Sequence, residues 1–288
     1  MEVFMCASSE HVTDHICVIL GDSRQEYLAG LLRREYLPVS FLQEPDKESL
    51  AGCSMIIAPT PFTKDQKTVF SHPKLTIDDF LSFLRPGQML FGANLPQKVR
   101  DYCSKHFVGF FDFMDDEEIA AKNAVATAEG AICEAIAHSP VNLEGSSCLL
   151  AGYGRCGRVL AKKLKALGAE IIILESDPAR QNLAKKEGFF CIQSHALSRF
   201  LEENPVLFFF NTAPCPIFGE KILEKTHPDI TIIDIASAPG GTDFDYCHKT
   251  GKTALLCPGL PGKYAPKTSA QILCSAVLAY LSSLEKQI

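Results

Sequence analysis

The chain has 288 residues, 47% of them hydrophobic and 22% charged, with a net charge of −6 at pH 7. Its length predicts two domains, and its hydrophobic content excludes a disordered protein. The acidic balance argues against a nucleic-acid-binding surface, and apolar runs such as VLFFF are too short to span a membrane.

Twelve cysteines lie mostly inside apolar segments. No two have the CxxC spacing typical of zinc sites or thioredoxin-like motifs, so no metal site is predicted. We expect free, buried cysteines that pack as small hydrophobic side chains, which favours a reducing cytoplasm. The first fifteen residues lack a basic region followed by an apolar core, so we expect no signal peptide.

The first half of the chain alternates apolar strands with amphipathic helices. Strands are predicted at HICVILGD, PVSFLQ, SMIIAP, QMLFGAN and HFVGFF, and helices at RQEYLAGLLRREY, TIDDFLSFL and PQKVRDYCSKH. Strands that are apolar throughout and separated by helices are typical of a parallel sheet covered on both faces. Residues 1–122 are therefore predicted to form a doubly wound α/β domain.

A longer helix is predicted over Asp115–His138, with an acidic start that suits the positive end of a helix dipole. Its part over 123–140 is predicted to join two domains. The strand and helix alternation then repeats from SSCLLAG to TALLC, which predicts a second doubly wound, parallel-sheet domain over 141–264. The last helix, in 265–288, is expected to pack back on the first domain and to leave a cleft between the two.

The stretch GYGRCG follows an apolar strand and opens a helix, in the GxGxxG pattern of a Rossmann dinucleotide-binding domain. Gly152 would allow the tight turn, Gly154 would let a pyrophosphate approach, and Gly157 would permit close helix–strand packing. The phosphates would lie at the helix N-terminus, beside Arg155 and Cys156. The alternative is a tight turn that binds no ligand.

An acidic residue, Glu175, ends the next strand. Its carboxylate would accept hydrogen bonds from the adenosine ribose hydroxyls and would repel a 2′-phosphate, which favours NAD. Ser176 and Arg180 follow and could instead hold a 2′-phosphate. Alternatively, Ser176 or Asp177 only caps the helix that begins at Pro178.

Three later strands of the second domain end in loops rich in proline and glycine and almost uncharged. Ligands of open parallel sheets bind beyond the carboxyl ends of the strands. The predicted cofactor contacts in these loops are Asn211, Thr212, Ala213, Pro214, Pro258 and Gly259, and Ser237 is a predicted substrate contact. The last loop, Cys257–Thr268, is predicted to be irregular because it contains three prolines and two glycines. The alternative is three ordinary surface turns.

Two polar stretches end strands of the first domain. GDSRQ places Asp22, Arg24 and Gln25 at a helix N-terminus, and APTPFTK carries Thr60 and Lys64. Taken singly, Arg24 and Lys64 would be expected to be solvated side chains with no ligand. Opposite a dinucleotide, these residues become candidates for binding an anionic substrate.

Five segments, in this order, resemble the A-subunit family of dipicolinate synthase from spore-forming bacteria: GDSRQ, NAVATAEGA, GYGRCGR, DIASAPGGTDF and CPGLPGKYAPKTSAQIL. The last two are more specific than GxGxxG. Two positions depart from the family pattern. Ala126 stands where a proline is common, and Ala238 stands where a basic residue is common, which removes one candidate carboxylate contact.

The resemblance implies oxidation of a dihydrodipicolinate-type intermediate of the lysine pathway to pyridine-2,6-dicarboxylate, with hydride transfer to NAD(P). NADP is the cofactor that the family implies. A flavoprotein-like B subunit is the implied partner, and the mother-cell cytoplasm of a sporulating bacterium is the implied location. A homo-oligomer is left open.

A flat ring with two carboxylates requires two separated cations, and Arg24 and Lys267 are the predicted pair. Further predicted substrate contacts are Thr127 and Thr268. The ring must also lose a proton to a base, for which Glu129 and Asp22 are the candidates.

Two other classes of protein remain open. A 2-hydroxy-acid or shikimate-like dehydrogenase usually has a conspicuous acid–base histidine or lysine at a strand end, and none of the eight histidines evidently lies there. A non-enzymatic dinucleotide-sensing module would not need polar strand ends in a second domain.

Overall fold

The computed structural model describes residues 15–286. The chain divides into two compact units: unit 1 comprises Met1–Ala120 and Ala265–Ile288, and unit 2 comprises Ala121–Tyr264. No described helix is long and apolar enough to cross a membrane.

Unit 1 is built on a parallel sheet. Its strands are β1 (Ile16–Ile19), β2 (Val39–Leu42), β3 (Met55–Ile57), β4 (Thr68–Val69), β5 (His72–Thr76), β6 (Met89–Gly92) and β7 (Gly109–Asp112). Its helices are α1 (Ser23–Arg34), α2 (Lys47–Ala51), α3 (Ile77–Phe83), α4 (Gln97–Lys105) and α12 (Pro266–Glu285). The five parallel strands have the order β2-β1-β3-β6-β7, and β4 and β5 form a separate antiparallel hairpin. This order is that of a doubly wound fold whose switch point lies between β1 and β3.

Strand β1 shows why the sheet of unit 1 is apolar throughout. Successive side chains of a strand point to opposite faces. Cys17 and Ile19 pack in the core under α2, α3 and α4, whereas Ile16 and Val18 pack under α1 and α12. Both faces of the sheet are therefore buried by helices.

Unit 2 contains six parallel strands. They are β8 (Ser147–Ala151), β9 (Glu170–Leu174), β10 (Phe190–Ile192), β11 (Phe208–Asn211), β12 (Thr231–Asp234) and β13 (Thr253–Leu256). The helices are α5 (Glu117–His138, which begins just before the unit boundary), α6 (Arg155–Ala166), α7 (Pro178–Lys186), α8 (Leu197–Glu203), α9 (Glu220–Leu223), α10 (Phe244–Thr250) and α11 (Leu260–Tyr264). The strand order is β10-β9-β8-β11-β12-β13. This is the Rossmann order, with its switch point between β8 and β11. The prediction of two doubly wound parallel sheets is confirmed.

The prediction that Cys257–Thr268 is irregular throughout is wrong, because α11 lies inside this segment. Pro261 occupies the first turn of α11, where a helix does not use the missing N–H group. Pro266 likewise stands at the start of α12. Burial of Leu260, Pro261 and Gly262 gives the short helix its packing.

The expectation that the cysteines are free is wrong for one pair, because the structure joins Cys17 and Cys53 as a disulfide. The other nine cysteines of the described residues are free. The pair is separated by 36 residues, and pairing of β1 with β3 brings its Cα atoms to 6.0 Å. Sequence spacing could not reveal this proximity.

Candidate functional site

The glycine-rich turn of unit 2 connects β8 to α6 at the switch point. Gly152 has φ +91°, a conformation that favours glycine, and a Cβ atom there would lie 2.5 Å from Thr212 Oγ1. A Cβ atom on Gly157 would overlap the carbonyl of Gly152. A Cβ atom on Gly154, by contrast, would meet nothing within 4 Å. The fold therefore requires the first and third glycines, whereas the middle one faces open space before the helix.

The first turn of α6 lies behind this open space. Its N-cap, Gly154, has no side chain to cap the N–H groups of the first turn, which suits an anion. Arg155 is exposed at this end, and Cys156 is half-buried. Burial raises the pKa of the Cys156 thiol, which lies within hydrogen-bonding reach of Thr127 on α5. The structure thus places Thr127, a predicted substrate contact, beside the predicted phosphate turn.

Glu175 ends β9 and holds the glycine-rich turn. Its carboxylate is buried and accepts hydrogen bonds from the N–H groups of Tyr153 (2.8 Å), Ser176 (2.8 Å) and Asp177 (3.0 Å). Asp177 caps α7 by accepting from the N–H group of Arg180. Ser176 and Arg180 are exposed, and the Arg180 guanidinium lies 3.9 Å from Glu175. The ribose contact of Glu175 stays a prediction.

Strand β11 ends on the other side of the switch point. Asn211 is fully buried, and its amide group donates to Asp234 (3.0 Å) and to the carbonyl of Ala213 (3.1 Å). Thr212 donates to the carbonyl of the last residue of β8. Asn211 and Thr212 therefore hold the loop, whereas Ala213 is half-buried and Pro214 is exposed.

Asp234, which the sequence analysis missed, joins three strand ends. It is fully buried at the end of β12, and its backbone carbonyl accepts from the N–H group of Cys257 after β13 at 2.7 Å. Its carboxylate accepts four hydrogen bonds of 2.7 to 3.1 Å, from Asn211 Nδ2, Thr242 Oγ1 and the N–H groups of Ala236 and Gly241. The predicted contacts Ser237, Pro258 and Gly259 lie on the loops that it holds. An aspartate that ends an apolar strand before a Pro-Gly-Gly loop was the available signal.

In unit 1 the switch point between β1 and β3 brings the two predicted polar stretches together. Asp22 caps α1, and Gln25 Oε1 accepts from the Asp22 N–H group at 3.0 Å, completing a capping box. Arg24 is only 3% exposed and donates to both carboxylate oxygens of Asp22, at 2.9 and 2.7 Å. It also donates to the carbonyl of Thr60. Arg24 therefore joins the two loops, with its charge balanced by Asp22.

Two buried donors at this switch point have no hydrogen-bond partner among residues 15–286. They are the amide nitrogen of Gln25 and the hydroxyl of Thr60. Most buried polar atoms in proteins are paired, and an unpaired one costs about 1–3 kcal/mol. The other such atoms among the described residues are Arg158 Nε and Thr231 Oγ1. An acceptor atom between these two segments would satisfy both donors.

The hairpin of β4 and β5 contacts the end of β1. His72 is buried, and its Nε2 lies 2.7 Å from the carbonyl oxygen of Leu20. Since a carbonyl only accepts, His72 donates this hydrogen bond through Nε2. Ser71 donates to the carbonyl of Gly21. His72 thus contacts the end of β1 from 52 residues away along the chain, an approach that the sequence analysis missed.

Two predicted charged residues already have partners. Glu129 is 57% exposed at its side chain and forms an ion pair with Lys163 on α6 at 2.8 Å. Lys64 lies over the ring of Phe70, with Nζ 3.9 Å from the ring centroid. The base role of Glu129 and the substrate role of Lys64 stay predictions.

Lys267 and Thr268 are exposed in the first turn of α12. Lys267 lines a groove of about 460 Å³ along α1, with Ser23, Glu26, Tyr27, Gly30, Leu31 and Arg34. Unit 1 thus brings Asp22, Arg24, Gln25 and Thr60 together and places Lys267 along the helix that Asp22 caps.

Fold and site together define a two-unit α/β protein whose second unit is a Rossmann domain of the dinucleotide-binding type. The family model for the N-terminal domain of the dipicolinate synthase A subunit matches residues 15–114, and the model "TrkA-N domain" matches residues 148–203. The A subunit of dipicolinate synthase from Bacillus subtilis (strain 168) is 34% identical over 236 residues, which are 81% of this chain and 79% of that protein. The chain belongs to the family of dipicolinate synthase A subunits, and the resemblance found in the sequence is confirmed.

Two crystal structures of the family have the same fold. The A subunit of dipicolinate synthase from Bacillus subtilis superposes with a TM-score of 0.81 and 26% identity, over 96% of this chain and 98% of that one. The A subunit from Bacillus halodurans gives a TM-score of 0.79 and 26% identity, over 93% and 98% of the two chains.

Proposed function

We propose that the chain oxidises a dihydrodipicolinate-type intermediate of the lysine pathway to dipicolinate, with hydride transfer to NAD(P). Family membership supports the reaction. The observation that carries the proposal is the pair of unpaired donors, Gln25 Nε2 and Thr60 Oγ1, at the switch point of unit 1. A dinucleotide-sensing module needs only the Rossmann unit, whereas an enzyme needs a second binding edge for its substrate.

The cofactor is assigned to unit 2. Gly152, Gly154 and Gly157 leave room for the pyrophosphate at the start of α6, and the open space at Gly154 supports this fit. The nicotinamide, when bound, accepts the hydride. We propose NAD over NADP because the buried carboxylate of Glu175 would repel a 2′-phosphate. A ratio of kcat/KM values in favour of NADP would overturn this preference and assign the phosphate to Ser176 and Arg180.

The substrate is assigned to unit 1. One carboxylate accepts from the amide of Gln25 and the hydroxyl of Thr60, and Arg24 holds the two loops in place. The ring loses a hydride and a proton to become aromatic. Both candidate bases form ion pairs, Asp22 with Arg24 and Glu129 with Lys163, but only Asp22 lies in unit 1 beside Gln25 and Thr60. We therefore propose Asp22, or a water molecule that it orients, as the proton acceptor.

The reaction is tested by following dipicolinate in the ultraviolet, from the lysine-pathway intermediate with NAD or NADP. We further propose that the partner is a flavoprotein-like B subunit and that the location is the mother-cell cytoplasm of a sporulating bacterium. The assay is therefore run with and without that partner. Dinucleotide binding without product under both conditions would favour the sensing module. Turnover of a 2-hydroxy acid or a shikimate-like compound instead of the dihydropyridine would favour another dehydrogenase.

Two isosteric variants test the substrate site. Gln25→Glu keeps the oxygen that caps α1 but replaces the unpaired donor with an acceptor, so KM should rise about tenfold to a hundredfold. Thr60→Val removes a hydroxyl that has no partner in the free protein, so KM should rise while the melting temperature holds. Thr231→Val is the matched control, because Thr231 Oγ1 is also buried and unpaired but lies in β12. Unchanged KM in both unit 1 variants would contradict the assignment.

The second carboxylate is assigned to Lys267. Lys267→Ala should raise KM and weaken inhibition by dipicolinate, with little effect on dinucleotide binding. The effect should be smaller than that of Gln25→Glu, because an exposed ion pair contributes only about 0–1 kcal/mol. Unchanged KM and product inhibition would place Lys267 outside the site.

A further inference from the structure

Three potential metal ligands converge at the amino end of the unit 1 sheet, the edge opposite the substrate loops. They are His15, Cys17 and Cys53, with a ring nitrogen and two sulfurs that all lie within 4.8 Å of one another. Within residues 15–286 this is the one group of three or more such ligands. Cys17 is 1% exposed, Cys53 is 4% exposed, and His15 is half-buried.

The fold explains this convergence. His15 immediately precedes β1 and alternates with Cys17, so both side chains belong to the same face of the sheet. Residue Cys53 lies two positions before β3, which pairs with β1 in the register Cys17↔Ile56. Both sulfurs also contact the carbonyl oxygen of Ser49 near the end of α2, at 3.6 and 3.2 Å.

Two kinds of chemistry can join the sulfurs: a disulfide, as in this structure, or a shared metal ion. A disulfide makes no use of the adjacent imidazole of His15, whereas a metal ion takes it as a ligand. Nine cysteines of residues 15–286 are free, of which Cys133 and Cys215 are exposed, as in proteins whose thiols stay reduced. Two thiolates and a divalent ion form a neutral group, which burial favours over separate charges.

The surroundings of His15 also suit a metal ligand. Its Nε2 lies 2.7 Å from Ser40 Oγ on β2. Ligating histidines usually bond a second protein group through the other ring nitrogen, which fixes the ring orientation and tautomer. Ser40 supplies such a group.

We propose that in the reduced chain Cys17, Cys53 and His15 bind one zinc ion. Two S–H bonds break, two Zn–S bonds of about 2.3 Å and one Zn–N bond of about 2.0–2.1 Å form, and two protons leave to solvent. No electrons are transferred. Tetrahedral bonding separates the sulfurs to about 3.8 Å, and water takes the fourth position. The ion would fasten β1 to the turn before β3 and would stabilise unit 1 without taking part in catalysis.

The test measures zinc by mass spectrometry in the full chain, purified without a tag and with a phosphine reductant. Wild type should contain one zinc per chain, and Cys17→Ser and Cys53→Ser should contain none. His15→Ala should bind with a Kd raised about tenfold or more, measured against a chromophoric chelator. Cys103→Ser is the matched control and should keep its zinc, because Cys103 is a buried, free cysteine of the same unit.

Two further measurements test zinc binding without relying on the folding of the serine variants. A chelator should lower the melting temperature of wild type and of Cys103→Ser, since a lost ligand removes its binding energy from the folded state. Cobalt in place of zinc should give a thiolate-to-cobalt charge-transfer band, with a spectrum altered by His15→Ala. Zinc-free wild type with no response to the chelator would overturn the proposal. So would a mass lower by two hydrogens with Cys17 and Cys53 crosslinked under the reducing conditions, because the pair would then be a disulfide.

Discussion

Gly154 and Gly157 belong to the same turn, yet the space around them predicts opposite effects of a methyl group. In Gly154→Ala the new Cβ meets nothing within 4 Å, so the melting temperature should not change. The affinity for the dinucleotide should fall at least about tenfold, because the methyl group occupies the position of the pyrophosphate. In Gly157→Ala the new Cβ overlaps the carbonyl of Gly152, which should lower the free energy of unfolding by about 1–3 kcal/mol. Calorimetry and thermal melting measure both effects. Wild-type dinucleotide affinity in Gly154→Ala would show that the pyrophosphate lies elsewhere.

Asp234 gives a second prediction at a single residue. Asp234→Asn keeps the shape but replaces one accepting oxygen with a donor, which must then face either Asn211 and Ala236 or Gly241 and Thr242. We expect a loss of about 1–3 kcal/mol in the free energy of unfolding and a raised KM for the dinucleotide. Asp229→Asn is the control, because Asp229 is exposed in the same unit. If both variants behave alike in denaturant unfolding and kinetics, the network of Asp234 does not hold the loops.

At the scale of elements, Glu187 ties the end of α7 to α6. Its carboxylate contacts Lys162 (2.9 Å), Arg158 (2.5 Å) and the hydroxyl of Tyr153 (2.8 Å). The hydrogen bond from Lys162, followed by those from Tyr153 and Arg158, lowers the pKa of Glu187 from its ordinary 4.5 to about 2. A lowered pKa in the folded state means that the ionised carboxylate stabilises the fold above pH 4.5, and that this stabilisation is lost as the pH falls towards 2.

Glu187→Gln should therefore have a lower melting temperature than wild type at pH 7, and the difference should shrink between pH 4.5 and the acid limit of folding. Glu203→Gln is the control, because Glu203 pairs only with Arg199 on the exposed side of α8. Its melting temperature should follow that of wild type at every pH. A pH-independent gap for Glu187→Gln would mean that the variant acts through packing and not through charge.

For the whole molecule, the sequence predicted the architecture well. Apolar runs separated by amphipathic helices identify parallel strands because both faces of such a sheet are buried. Because this alternation of strands and helices occurs in both halves of the chain, it predicted two doubly wound sheets. The glycine-rich turn was predictable for a similar reason, since Gly157 packs against the carbonyl of Gly152 within one short strand–turn–helix unit.

What the sequence did not predict depends on contacts between distant segments. The β4–β5 hairpin is short and polar, so neither it nor the approach of His72 to β1 leaves a periodic pattern. Arg24 was expected to be a free cation, but it donates to the carbonyl of Thr60, 36 residues further along the chain. The proximity of Cys17 and Cys53 follows from strand pairing alone. Each of these facts needs the register of the sheet, which spacing along the chain does not contain.

The assignment of one ligand to each unit predicts two distinct patterns of hydrogen exchange. A nicotinamide dinucleotide should slow exchange most in unit 2, around Gly152 to Gly157, and dipicolinate should slow it most in unit 1, around Gly21 to Gln25 and Thr60. At a concentration of a hundred times its Kd, a ligand stabilises the folded unit by about 2.7 kcal/mol. Amides that exchange only when that unit unfolds should therefore exchange about a hundredfold more slowly.

Two variants make this prediction specific. Gly154→Ala should abolish the dinucleotide pattern and keep the dipicolinate pattern, because only the pyrophosphate position is filled. Gln25→Glu should do the reverse, because the amide that donates to a carboxylate is replaced by an acceptor while the cap of α1 remains. Protection by dipicolinate confined to unit 2 would show that the dicarboxylate binds at the Rossmann edge. The unpaired donors of Gln25 and Thr60 would then have to be satisfied by water, and unit 1 would lose its assignment as the substrate unit.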